Sequence, residues 1–247
     1  MPISTALLKV IVDVIETTAV VFTATVGFYK YKKLTVSARA LIWMVIFICL
    51  FDYLGDWLRD HNFNTAFIFS IYAGYFLNVA LGAVFFNYCI PFFRKIKMGI
   101  YFALIIVVFL VVNMLFVWPA GTVHTGVATT ELVFAAQQRF MNFVAFYTLC
   151  SIILELSVLF ILFRKGEWPE IRQNLNFWLV VVNLFMDGCV HINSTIMPLV
   201  MPKDIIAHAD LYNLISTLID FIPGDIGMFM YGVLFLVFTR KKEYSYK

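Results

Sequence analysis

Seven long apolar stretches punctuate the chain, at roughly 6–29, 38–59, 65–91, 98–118, 138–163, 175–200 and 210–239, with short polar segments between them. A helix needs about 20 apolar residues to cross the hydrocarbon. Within lipid each backbone amide must find its partner inside its own segment, so these stretches predict helices rather than open strands. Barrel strands would alternate over about 10 residues, and no such alternation is present. The pattern therefore predicts an all-α polytopic membrane protein of seven transmembrane helices. Those helices and their short loops use up the chain, so residues 1–247 form a single domain.

Composition excludes the competing classes. Of the 247 residues, 62% are hydrophobic and 13% charged, and mean hydropathy is +0.90. A soluble domain is about 45–50% apolar and about 25% charged. A water-soluble globule, a disordered chain and a disulfide scaffold are all ruled out. The first stretch lacks a basic leader and carries Lys9, Asp13 and Glu16, so it reads as a helix rather than a signal peptide. Cys49, Cys89, Cys150 and Cys189 all fall inside apolar stretches and show no paired Cys-x-x-Cys spacing. They read as apolar filler.

The basic residues orient the bundle. Lys30, Lys32, Lys33 and Arg39 flank the first loop, Arg94, Lys95 and Lys97 the third, and Arg164, Lys165 and Arg172 the fifth. With Arg240, Lys241, Lys242 and Lys247 in the tail, fourteen of the 18 basic residues share one side. The positive-inside rule then places the N-terminus outside and the C-terminus in the cytoplasm. These clusters are short, and they read as topology signals rather than nucleic-acid sites.

The acids are placed differently. Eight of the 15, namely Asp13, Glu16, Asp52, Asp56, Glu155, Asp187, Asp220 and Asp225, lie inside predicted spans. Each costs about 2.5–3.5 kcal/mol at mid-helix on insertion scales, so such groups face a bundle interior, a partner or water. Helical spacing lines up Lys9, Asp13 and Glu16 in the first helix, Asp52 and Asp56 in the second, and Asn176, Asn183, Asp187 and His191 in the sixth. Tyr75 and Asn78 join from the third helix and Asp220 from the seventh. Helix four carries only Asn113 inside its span and reads as a lipid-facing or linking helix.

By depth, Asp13, Asp52, Asp56 and His191 lie in the outer half, with Glu16, Asp187 and Asp220 near the middle and Glu155 alone in the inner half. This predicts a polar cavity open to the outside. Plainer readings stand beside it. Lys9 and Asp13 suit an interfacial pair, Asp187 and His191 a structural pair, and Asp56 a wetted helix end. Asp225, about 140° around a regular helix from Asp220, suits the backbone freed by Pro223 and Gly224. All four histidines fall on the outer side, His61, His124 and His208 in loops.

At an offset of 135 residues, Trp43 meets Trp178, Val45 meets Val180, Asp52 meets Asp187, Asp56 meets His191 and Asn78 meets Asn213. Two parallel three-helix repeats joined by helix four would result, a plan that resembles the SWEET and PnuC transporters, in which solute binds between the triple-helix units. The SWEET prolines are missing here. The exits Phe28-Tyr29-Lys30-Tyr31-Lys32-Lys33 and Phe163-Arg164-Lys165, with Phe177-Trp178 opening helix six, resemble a group of small bacterial seven-helix membrane proteins. That resemblance implies a bacterial inner membrane and no particular activity. Microbial rhodopsins are excluded because helix seven has no lysine, and G-protein-coupled receptors because Asp-Arg-Tyr and Asn-Pro-x-x-Tyr are absent.

The expected function is a small transporter or ion or proton pathway with an acidic outward cavity for a small polar or cationic solute. Its candidate residues are Glu16, Asp52, Asp56, Tyr75, Asn78, Asn183, Asp187, His191 and Asp220. A receptor or sensor signalling to a partner is the alternative, followed by an intramembrane metal hydrolase built on Asp52, Asp56, Asp187 and His191. No catalytic residue and no cofactor is assigned, and metal binding stays open. Lipid is the expected partner, nucleic acid is not, and a homo-oligomer or membrane partner protein stays open.

Overall fold

The computed structural model describes residues 5–61, 63–117, 130–166, 168–200 and 217–238. Seven helices long and apolar enough to cross a membrane run through them, and no strand occurs among the described residues. They are α1 (Thr5–Lys30), α2 (Val36–Asp60), α3 (Asn64–Cys89), α4 (Met98–Val117), α5 (Thr130–Lys165), α6 (Leu175–Val200) and α7 (Ile222–Val237). A π-helical turn, Thr217–Phe221, leads directly into α7. The chain is thus a multi-pass integral membrane protein in contact with lipid.

Each helix packs on its neighbours in the chain, and α7 closes the ring by packing along α1. Lipid-facing helices gain nothing from hydrophobic exclusion alone, so close approach and interhelical hydrogen bonds carry the packing. Gly232 of α7 illustrates the approach. A Cβ there would press into the Phe22 ring and within 2.9 Å of Thr23 Oγ1. Thr23 in turn donates to the Met228 carbonyl, and the Phe22 and Phe229 rings stack at 4.6 Å. At the α3–α4 turn, Lys97 takes a left-handed conformation (φ 56°) and reverses the chain. Gly99 comes two residues later, with its N–H on Asn87 Oδ1 at 3.0 Å. A Cβ at Gly99 would collide with the Ala83 backbone.

Helix α4 shows the lipid-facing pattern most plainly. Ile100, Leu104, Ile105, Val108, Val111 and Leu115 are exposed along one side, while Phe102, Ile106 and Leu110 are buried on the other. Its Asn113 accepts a hydrogen bond from Tyr72 of α3 at 2.7 Å.

The basic end of the bundle is held by polar and aromatic contacts. Arg39 donates to the Tyr31 carbonyl (2.9 Å) and lies over the Tyr31 ring. Arg94 lies over Tyr88 and Lys165 over Phe92. Trp178 donates to the Arg172 carbonyl at 2.8 Å. Long cationic side chains with aromatic support are what a helix end at a membrane surface requires.

Candidate functional site

Three polar groupings lie inside the bundle. The first closes the basic end. Asn176, in the first turn of α6, accepts from Ser37 (2.8 Å) and Thr35 (3.2 Å) through Oδ1. Its Nδ2 donates to the Cys89 carbonyl at 2.8 Å. One amide therefore ties the start of α2, the end of α3 and the start of α6 together. Thr35 also accepts from the Ala38 N–H and so caps α2.

The second grouping sits near mid-bundle, between α5 and α6. Glu155 is fully buried. It lies ten residues from the end of α5, about 15 Å along the helix. Ser151 Oγ donates to Glu155 Oε1 at 3.4 Å, and the Asp187 side chain lies against that of Glu155. Glu155 Oε2 is buried and has no hydrogen-bond partner among the described residues. Tyr147 of α5 and Tyr231 of α7 stand within electrostatic range of both acids. Tyr75 of α3 meets Tyr147 edge-on at 6.1 Å. Asn78 lies one turn further along α3, half-buried, with a buried Oδ1 that lacks a hydrogen-bond partner among the described residues.

The third grouping lies at the α1–α7 seam, toward the opposite end. Asp225 is buried (3% exposed), and its Oδ2 has no hydrogen-bond partner among the described residues. Glu16 of α1 is half-buried within electrostatic range of Asp225, Asp13 and Asp56. Cys49 of α2 is close enough to feel Glu16, Asp52 and Asp225. Thr17 and Tyr53 hydroxyls bond across α1 and α2 beside this group.

The expected residues are thus divided rather than gathered. Asp187, Tyr75 and Asn78 belong to the mid-bundle region, and Glu16 and Asp56 to the α1–α7 seam. Asp52 has an exposed side chain. Asn183 is half-buried. His191 is engaged with α5 rather than with Asp187, through Thr148 Oγ1 (3.0 Å) and the Ala145 carbonyl (3.1 Å). A carbonyl only accepts, so His191 Nδ1 carries the hydrogen in that contact. The Asp220 side chain lies outside the described residues, as do Lys9's, Asn213, Trp118, His124 and His208. His61 directly follows α2, its Nδ1 2.8 Å from the Trp57 carbonyl and its ring on Trp57.

Two residues depart from their expected settings. Glu155, expected to be alone, sits against Asp187. Asp225, expected to serve the backbone, joins Glu16. Both are legible as acids inside apolar spans, and Thr148 and Ser151, seven and four residues before Glu155, mark a polar stripe on the same helix.

Among the described residues no three His, Cys, Asp or Glu side chains are grouped to hold a metal ion. A Cβ on Gly188, next to Asp187, or on Gly224, next to Asp225, would meet nothing within 4 Å among the described residues. No family model matches the chain, and neither a curated protein nor a solved structure shows significant similarity to it.

Proposed function

We propose that this protein is a small membrane transporter, moving protons or a small cationic or polar solute along the interior of the seven-helix bundle. The observation that carries this reading is the Glu155–Asp187 pair, because Glu155 is fully buried near mid-bundle and lies against a second acid. A buried acid pair is a poor stabilising device, since each desolvated charge costs several kcal/mol. Acids inside membrane segments are instead the usual elements of proton relays and ion paths.

The distribution of basic residues supports a cytoplasmic placement of the basic end. In that orientation Glu16 and Asp225 lie on the outer side of the pair, and the Asn176 clasp closes the inner side. Solute would then approach past Glu16 and Asp225, with Tyr75 and Asn78 orienting it near the pair. The parallel-repeat plan, with solute between three-helix units, is compatible with this route. The aromatic-lysine exits support a home in a bacterial inner membrane.

Proteoliposomes carrying the full chain test the reading. An imposed pH or cation gradient should drive flux that Glu155→Gln and Asp187→Asn together abolish. The two amides keep the volume and hydrogen-bonding capacity of the acids, so folding should persist. Undiminished flux in that double variant would overturn the proposal.

A further inference from the structure

The corner between α1 and α2, at the basic end, carries observations that the acid pair does not use. Arg39 stands in the first turn of α2 and is half-buried. Its Nε donates to the Tyr31 carbonyl (2.9 Å), its Nη2 donates to the Lys32 carbonyl (3.4 Å), and the guanidinium lies 4.9 Å from the centre of the Tyr31 ring. A guanidinium has five N–H donors, so three remain. Among the described residues Arg39 makes no ion pair. Lys32 and Lys33 beside it are exposed, and neither their own turn nor the first turn of α2 holds an acid. The guanidinium is thus fixed in position and still lacks an anion.

An apolar strip begins where that cation is held. Arg39, Trp43 and Phe47 follow one another at four-residue spacing and share a face of α2, which Leu50 continues. Ser37, bonded to the Asn176 clasp, lies about 200° around the helix from Arg39. The Arg39 face therefore turns away from the bundle interior, and Trp43 and Leu50 are exposed on it. The Trp43 ring is held on three sides. Its indole N–H donates to the Tyr31 hydroxyl at 3.4 Å, Phe28 of α1 meets it edge-on at 5.6 Å, and Phe47 stacks on it at 5.8 Å. A pinned cation heads a rigid aromatic strip that runs from the basic end toward the middle of the membrane.

The chemistry narrows the ligand. A planar guanidinium with donors to spare suits phosphate oxygens. Two further cations beside it favour a head group of net negative charge over one that carries its own ammonium. The strip below asks for a hydrocarbon chain, which a free phosphate lacks. We propose that Arg39 binds the phosphate of an anionic phospholipid whose acyl chain lies along Trp43, Phe47 and Leu50. The lysine clusters of this end, each too short to mark a lipid site by sequence alone, then serve one defined position through Lys32 and Lys33. The site is separate from the Glu155–Asp187 pair and does not rest on the transporter reading.

Native mass spectrometry of the full-length protein in detergent tests it, with dioleoyl phosphatidylglycerol and dioleoyl phosphatidylcholine as probes. The anionic lipid should bind at least about tenfold more tightly, the scale of a charge-assisted hydrogen bond. Arg39→Gln should erase that preference. Arg94→Gln, which removes a cation laid over Tyr88 at the same end, should leave it standing. Inorganic phosphate, which has the charge and no chain, should not displace the lipid. Should Arg39→Gln not fold, tryptophan fluorescence of the otherwise unaltered chain in vesicles gives a second measurement. Phosphatidylglycerol brominated along its chains should quench more than brominated phosphatidylcholine, and Trp43→Phe should remove the excess. Equal binding of the two lipids, a preference lost as fully in Arg94→Gln as in Arg39→Gln, displacement by phosphate, or excess quenching that survives Trp43→Phe would each overturn the site and leave the pathway standing.

Discussion

Asn176 and Glu155 are both polar side chains held within an apolar bundle, and they are treated in opposite ways. Asn176 has its Oδ1 occupied by two hydroxyl donors and its Nδ2 spent on a carbonyl. Glu155 has one oxygen served by a long hydrogen bond and the other without a hydrogen-bond partner among the described residues. Satisfied polar groups fasten helices, since breaking them strands several partners at once. Under-satisfied acids fasten poorly and remain available to protons or solute. The difference separates the part of this molecule that holds it together from the part expected to work.

The largest expected effect tests the working side. Glu155→Gln with Asp187→Asn should remove proteoliposome flux while leaving the melting temperature within a few degrees of the original. A comparable loss of stability would place the pair among the fasteners. Next comes the turn at the basic end. Gly99→Ala should destabilise the protein by about 1–3 kcal/mol or more, as overpacking does, because its Cβ would collide with main chain that cannot swing aside. Denaturation in mixed micelles would measure it, and an unchanged midpoint would mean the α3–α4 approach is looser than described.

Asn176→Leu should cost about 1–3 kcal/mol, the usual consequence of leaving buried donors and acceptors unpaired, and the same denaturation assay reads it. A neutral result would erase the contrast with Glu155 from the other side. The smallest effect should come from Thr148→Val, which removes one hydroxyl from the His191 contact. Interhelical hydrogen bonds in membranes average about 0.6 kcal/mol and reach about 1.7. A shift much above that range would make His191 a stronger tie between α5 and α6 than its geometry implies.

The seven spans were legible because length and hydropathy decide membrane crossing almost alone. Helix pairing was not, and the site depends on it. Glu155 looked isolated while depth was judged along α5, yet α6 brings Asp187 to the same level. Asp225 was assigned to the backbone by counting 100° per residue from Asp220. The π-helical turn at Thr217–Phe221 covers only the first step of that count, and what brings Asp225 within electrostatic range of Glu16 is the packing of α7 along α1. Helix α3 is apolar nearly all the way round, so its pattern could not say which way Asn78 faces. Asp52 shared spacing and residue type with buried acids, and side-chain exposure is what set it apart.

Fastening α6 at one end has a mechanical consequence. With Asn176 in the first turn tied to α2 and α3, the 26-residue helix can act as a lever pivoting at its base. A rod of that length spans about 39 Å, so a tilt of about 5° sweeps its far tip through about 3 Å, roughly the diameter of a water molecule. Asp187, about halfway up, would travel about half as far under the same rotation. A single side-chain amide would then hold the base of α6 still while any tilt is expressed at its other end.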